Sequence, residues 1–390
     1  MKIYLNKTVF AEALDRIRFI FDEFENVTVA VSGGKDSTVV FNLAMIVARE
    51  RGRLPLRVMW IDQEAEWQGT ADMVRSIMYD TDVLPRWYQM PIRLFNATST
   101  IEHWLNCWEE GKDWVREKDP LAITENVYST DRFHELFTAI AKTEFPDSPT
   151  VQIAGVRTEE SPTRFVGLTS MPTYKGVTWG KILDRKRGHY SLYPIYDWSY
   201  MDVWKAIHAE GWQYNRIYDE MYRYGYSVSQ MRVSNLHHET AVQHLFFLQE
   251  IEPETYNKVT ARIQGIDTAG KLGKADYFVH DLPFMFKSWK EYRDFLLEKL
   301  ITDPDWKKRF VSRFKKMDED YAELRDITAL HKEQVQSILA NDWEGIKLDN
   351  WKRMPEVNVF RKWKRGDEIH ALDNTDPGLK QYNRHIPLSV

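Results

Sequence analysis

Residues 32–37 read Ser32-Gly33-Gly34-Lys35-Asp36-Ser37 and follow directly on the apolar run Val27-Thr28-Val29-Ala30-Val31. A buried strand that empties into two glycines and then a helix start predicts an α/β layout. Glycine reaches φ values closed to other residues and lets N–H groups approach a ligand with no Cβ in the way. The next stretch, Thr38–Val47, reads as a helix whose N-terminus directs partial positive charge at the same spot. Lys35 adds a full charge. The combination is suited to phosphate or pyrophosphate.

The rest of the first half keeps a strand–helix rhythm, the sequence sign of a parallel sheet. Phe10, Leu14, Ile17, Phe21 and Phe24 recur at helical spacing and predict a helix over 8–25. Leu56–Ile61 reads as the second strand, ending at Asp62, with a helix over Trp67–Thr81 and a strand near Gln89–Phe95. Residues 98–130 are irregular and crowded with tryptophan (His103-Trp104, Cys107-Trp108, Trp114), and read as a loop or lid. Phe133–Phe145 reads as a helix, Val151–Ala154 and Tyr190–Ile195 as strands, and Ser199–Glu210 as a helix with Asp202 in its first turn. Beyond about residue 236 long helical stretches take over, clearest at Ser288–Leu300, Asp305–Lys316 and Lys332–Asn341. The expected division is a nucleotide-binding domain over 1–235 and a helical domain over 236–390.

Composition narrows the function classes. No apolar run approaches the roughly 20 residues of a membrane span. The N-terminus runs straight into an amphipathic helix and lacks a signal-peptide core, which predicts a cytoplasmic protein. A net charge of −5 carries no global argument for nucleic-acid binding. The single cysteine, Cys107, excludes a disulfide, a Cys-x-x-Cys redox pair and a cysteine-based metal site within one chain.

The loop is not a Walker A sequence, which needs four residues between its glycines. Ser32–Ser37 resembles the PP-loop signature of the ATP pyrophosphatase superfamily, in the lysine form typical of its phosphoadenosine phosphosulfate (PAPS) reductase branch. Three further elements are similar to that branch, in its order: Gly155-x-Arg157-x-x-x-Ser161-x-x-Arg164, the stretch Tyr193-Pro194-Ile195-Tyr196-Asp197-Trp198-Ser199 with Asp202-Val203-Trp204, and Asn215-Arg216-Ile217-Tyr218-Asp219-Glu220-Met221-Tyr222. The resemblance implies a PP-loop α/β sheet flanked by helices, binding ATP or PAPS. It implies a site in which Ser32, Gly33, Gly34, Lys35, Asp36, Ser37, Asp62, Gly155, Arg157 and Ser161 hold the nucleotide. Lys35, Asp36, Arg157 and Arg164 would carry the chemistry, and the two arginines are suited to gripping phosphate oxygens bidentately. Asp36 is the candidate ligand for a Mg²⁺ bridging phosphates. Asp62 is expected either at ribose or metal, or as a helix N-cap.

One departure from the family bears on function. Its reductases carry a nucleophilic cysteine in a C-terminal Glu-Cys-Gly-x-His segment, whereas residues 381–388 here hold no cysteine and Cys107 matches nothing in the pattern. Thiolate chemistry cannot proceed without that group, so classical PAPS reduction is disfavoured. The leading expectation is cleavage of ATP between its α- and β-phosphates, with adenylylation of an acceptor. The alternatives are a non-catalytic nucleotide sensor and a reductase that borrows a thiol from another protein.

The Trp-rich stretch, Gln230-Met231-Arg232-Val233 and the helical C-terminal region also resemble a bacterial and phage family typified by the immunoglobulin-binding regulator IbrA. That likeness implies a ParB-like partner. Basic–aromatic clusters at Trp306–Phe310, Arg313–Lys316 and Phe360–Arg365 suggest nucleic-acid contact through the C-terminal helices, against a solvated helix face over buried aromatics.

Overall fold

A computed structural model of the chain describes residues 6–96, 102, 104–228, 231–233, 235–237, 244–266, 281–301, 303–324, 326–340, 342 and 345–365. They fall into two units, one within Met1–Phe95 and Trp104–Ile263, the other within Asn96–His103 and Gln264–Val390.

The first unit is built on a six-stranded sheet in the order β3-β2-β1-β6-β8-β7. Its strands are β1 (Asn26–Ala30), β2 (Leu56–Ile61), β3 (Val83–Tyr88), β6 (Thr150–Ile153), β7 (Gly180–Asp184) and β8 (His189–Leu192). All neighbours pair in parallel except β7, which runs antiparallel to β8. Pro85, which cannot donate to a ladder, lies on the edge strand β3. From β1 the chain first builds outward through β2 to β3 and then crosses back to lay β6 on the other side of β1. Such a reversal opens a crevice at the carboxyl end of the central strand. Residues 32–37 stand there.

Helices α1 (Val9–Glu23), α2 (Lys35–Glu50), α3 (Gln68–Met78), α4 (Phe133–Glu144), α5 (Pro162–Thr169), α6 (Tyr200–Glu210) and α7 (Ile217–Arg223) accompany the sheet. The heptad-like apolar positions of α1 and the inner face of α2 enter one core with Val29, Val58, Val151 and Leu192 of the strands. Ser199 caps α6 reciprocally with Asp202, and Trp198 is buried with its Nε1 donating to Val9 O at 3.1 Å. Helices α8 (Leu245–Ile251) and α9 (Pro253–Arg262) also belong to this unit, so it continues to Ile263, past the change of rhythm near 236. Glu252 accounts for part of this: its carboxylate accepts from Gln68 N at 2.7 Å and Gly69 N at 2.9 Å, satisfying the start of α3.

Three sequence expectations require correction. The third parallel strand is Val83–Tyr88. The apolar stretch near 89–95 instead contains β4 (Ile92–Phe95), which pairs antiparallel with β5 (Trp104–Cys107) in a separate ribbon. Strand β7 was not expected, because Gly180-Lys181-Ile182-Leu183-Asp184 lacks a clean apolar alternation. The Trp-rich segment is not a lid where it is described. Cys107, Trp108 and Val115 are buried, and Trp108 Nε1 donates to Asp62 O at 2.8 Å. His103 lies outside the described residues, as do Gln230 and residues 381–388.

The second unit is helical: α10 (Trp289–Lys299), α11 (Pro304–Asp320), α12 (Ile327–Leu339), α13 (Ile346–Trp351) and α14 (Pro355–Arg365). Trp306, Phe310, Phe314 and Met317 form the buried stripe of α11. The aromatics of its basic clusters are therefore core, unavailable for stacking on bases. On α14, Trp363 is exposed beside Lys362, Lys364 and Arg365.

Candidate functional site

The 32–37 loop is held from several sides. Gly33 takes φ +69°, and a Cβ there would lie 2.7 Å from Thr70 Cγ2, so α3 approaches the loop closely because the residue is glycine. Asn215 Nδ2 donates to Gly33 O at 3.2 Å and to Thr70 Oγ1 at 2.9 Å, tying loop and helix together. Ser37 Oγ accepts from Ser32 N at 3.1 Å and donates to Gly34 O at 3.0 Å. Gly34 opens α2 with no side-chain cap, which leaves first-turn N–H groups for another acceptor. One of them, Lys35 N, is 3.3 Å from the hydroxyl oxygen of Tyr218, whose ring also faces Lys35 Nζ.

From the other side of β1, Gly155 follows β6. A Cβ at Gly155 would lie 2.7 Å from the carbonyl carbon and oxygen of Asp36 and 2.8 Å from Ser37 N. The requirement for glycine is steric and direct. This approach brings Arg157 to the loop, where its Nε donates to Asp36 Oδ1 at 2.5 Å. Its Nη1 donates to Glu159 Oε2 at 2.9 Å.

Loop and arginines border a cavity of about 750 Å³. Lys35, Arg157, Arg164 and Arg232 supply its positive charge; Ala30, Met59, Trp60, Phe133 and Phe137 are among its apolar lining. Arg164 is ion-paired to Glu160, and burial together with neighbouring Arg232 lowers its pKa below the ordinary guanidinium value. An anion between these two cations would relieve that repulsion. The sequence motif around Arg232 does not by itself assign that residue to the cavity, and the motif holding Asn215 and Tyr218 does not reveal that both side chains prop the loop.

Two expected ligand residues have other duties. Ser161 Oγ accepts from Arg164 N at 3.1 Å as the N-cap of α5. Asp62 is fully buried and is neither a helix cap nor turned to the cavity. Its oxygens accept from Glu64 N at 3.0 Å, Trp87 Nε1 at 2.9 Å and Gln89 Nε2 at 2.9 Å, and from the Arg116 guanidinium. Arg116 also donates to Glu64 O at 2.6 Å, and Arg262 Nε to Glu64 Oε1 at 2.8 Å. These carboxylates join β2 to the Trp-rich segment and α9.

Asp36 does not fit a magnesium ligand in this arrangement. Lys35 Nζ donates to its Oδ2 at 2.9 Å and Arg157 to its Oδ1, so the carboxylate charge is already matched by two cations. Among the described residues no group of three or more His, Cys, Asp or Glu side chains is placed to hold a metal ion.

Glu66 went unnoticed in the sequence, where an acid near a helix start is unremarkable. It lines the cavity, is 5% exposed, and its carboxyl has no hydrogen-bond partner among the described residues. Burial, reinforced by the Asp62 carboxylate and opposed by Arg116, pushes its pKa up to about 8.

The phosphoadenosine phosphosulfate reductase domain matches residues 26–224, a span that contains the loop, both arginines of the 155–164 element and Asn215. The chain belongs to the PAPS reductase domain family. It thereby joins the PP-loop superfamily, in its PAPS reductase-like branch. A domain of unknown function, DUF3440, matches residues 225–384. The uncharacterized protein YbdN of Escherichia coli (strain K12) is 28% identical over 314 residues, 77% of each chain. Among solved structures, the FMN adenylyltransferase of Candida glabrata is 13% identical with a TM-score of 0.35, over 60% of this chain and 65% of that one. The PAPS reductase of Candida auris, a phosphate complex, is 14% identical with a TM-score of 0.34, over 58% and 89%. No helix among the described residues is long and apolar enough to cross a membrane.

Proposed function

We propose that this PAPS reductase family protein binds ATP in the cavity at the 32–37 loop and transfers its adenylyl group to an acceptor. One observation carries the reading: a cavity that joins a glycine loop, an uncapped helix N-terminus and four cations has no thiol in its lining. Cys107, the chain's one cysteine, is fully buried, donates to Gln63 O at 3.1 Å, and burial holds its pKa well above the ordinary thiol value. A thiol so placed supplies no thiolate nucleophile.

In the proposed reaction an acceptor oxygen attacks the α-phosphorus, a hydroxyl acceptor releasing its proton to solvent. The bond from that phosphorus to the α,β-bridging oxygen breaks, and pyrophosphate leaves with the electron pair. Ser32, Gly34, Lys35 and Ser37, with the first N–H groups of α2, receive the β- and γ-phosphates. Gly155 permits the close approach that sets Arg157 against this group. Arg164 and Arg232 stabilise charge that builds on the departing oxygens. Gly33 acts by shaping the turn, and Asp36 by orienting Lys35 and Arg157. No step is assigned to a metal held by this chain.

A nucleotide sensor is the second reading, favoured by the closed Lys35–Asp36–Arg157 arrangement, which phosphate must reorganise. Pyrophosphate release from ATP decides between them. Release that tracks the protein and disappears in Lys35→Ala supports the enzyme; ATP or PAPS binding without release supports the sensor.

A further inference from the structure

The same cavity is also lined by Gln63, Glu66, Met231 and Asn235, none of which carries positive charge. Val233 is near the loop, since a Cβ at Gly34 would lie 3.7 Å from its Cγ2. Leu236 N donates to Ala65 O at 2.9 Å, and Asn235 Nδ2 donates to Gln63 Oε1. Val233 therefore meets the glycine loop, while Asn235 and Leu236 hold the turn that carries Glu66. The Lys35–Asp36–Arg157 system and the Arg164–Arg232 pair serve the phosphates in the proposed reaction. Of the charges acting on Glu66, Asp62 is anionic, and Arg116 is engaged by Asp62 and Glu64. The charged and titratable neighbours on this stretch are Arg232 and His237, and His237 Nε2 is 3.5 Å from Asn235 Nδ2.

We propose that Gln63, Glu66, Met231 and Asn235 form the acceptor subsite, and that Glu66 pairs there with an amide-type edge of a nucleobase or carboxamide. The proposal rests on the adenylyl-transfer reading and names its acceptor class. A protonated carboxyl presents an O–H donor beside a carbonyl acceptor. The complementary edge is an N–H beside a carbonyl or ring nitrogen. Glu66 lines the cavity, its carboxyl has no hydrogen-bond partner among the described residues, and its oxygens are therefore free to bond a ligand that enters there. An anionic acceptor would satisfy the O–H and leave the carbonyl oxygen facing negative charge.

The test titrates protein saturated with the ATP analogue AMPCPP against adenosine, cytidine, guanosine, uridine and nicotinamide by calorimetry, with sulfate as the anionic control. At least one neutral probe is expected to bind at pH 7 and to lose about tenfold in affinity at pH 9, as a group with a pKa near 8 ionises. Glu66→Gln keeps a donor and an acceptor but has no proton to lose, so it binds that probe equally at both pH values. Glu66→Ala binds it at neither, while its circular dichroism and AMPCPP affinity match the parent. No neutral probe binding, sulfate binding in their place, full binding by Glu66→Ala, or pH loss persisting in Glu66→Gln overturns the proposal. Failure of AMPCPP itself to bind overturns the adenylyl-transfer reading instead.

Discussion

Arg157 Nε donates to Asp36 Oδ1 at 2.5 Å, joining the turn after β6 to the first turn of α2 across the switch point of the sheet. Because Lys35 Nζ holds the other oxygen at 2.9 Å, one carboxylate restrains two cations that face the cavity. Phosphate has to compete with it.

Asp36→Asn removes that competitor. Inorganic pyrophosphate should then bind about fivefold more tightly in EDTA, a change of roughly 1 kcal/mol for a charge near the surface of a cavity. Calorimetry measures it directly. If Asp36 were a metal ligand, the substitution would leave binding in EDTA unchanged and weaken AMPCPP binding when magnesium is present.

Lys35→Ala should lower ATP and PAPS affinity at least tenfold, roughly the loss of one charge-assisted phosphate contact. The fold should persist, because Asp36 keeps Arg157 as a partner and Ser37 still closes the loop. Unchanged affinity for both nucleotides would remove the loop from the binding site.

Asp62→Ala strands the Arg116 guanidinium and deprives Trp87 Nε1 and Gln89 Nε2 of their acceptor. Breaking a buried ion pair on one side costs about 3–5 kcal/mol. Urea denaturation should show a loss of this size, with the nucleotide affinity of the remaining folded protein nearly intact. A variant of normal stability that fails to bind AMPCPP would return Asp62 to the ligand set.

Cys107→Ser should leave pyrophosphate release unchanged, since its thiol is buried against Gln63 O and holds its proton. Ellman's reagent should label the native protein only when denaturant is added. Rapid labelling accompanied by inactivation would contradict this placement.

What could be read from the sequence was local. Ser32–Ser37 behind an apolar run announced strand, turn and helix start, because glycine conformation and helix ends depend on adjacent residues. The alternation of apolar runs with helical periodicities announced the parallel sheet, and the family motifs selected the residues at its carboxyl edge. The shift of the third strand to Val83–Tyr88 escaped notice because Pro85 and Arg86 break its pattern, and an edge position tolerates both.

Pairing across the fold was decided by tertiary structure alone. Nothing local distinguishes Asp62, saturated with buried donors, from Glu66, left without a partner among the described residues at the cavity wall; the difference is which segments fold over each. The same holds for Arg157, whose role depends on how closely Gly155 lets β6 approach Asp36. Short-range sterics and periodicity determined the elements and the phosphate loop. Burial and charge pairing between distant segments determined which side chains remain available to a ligand.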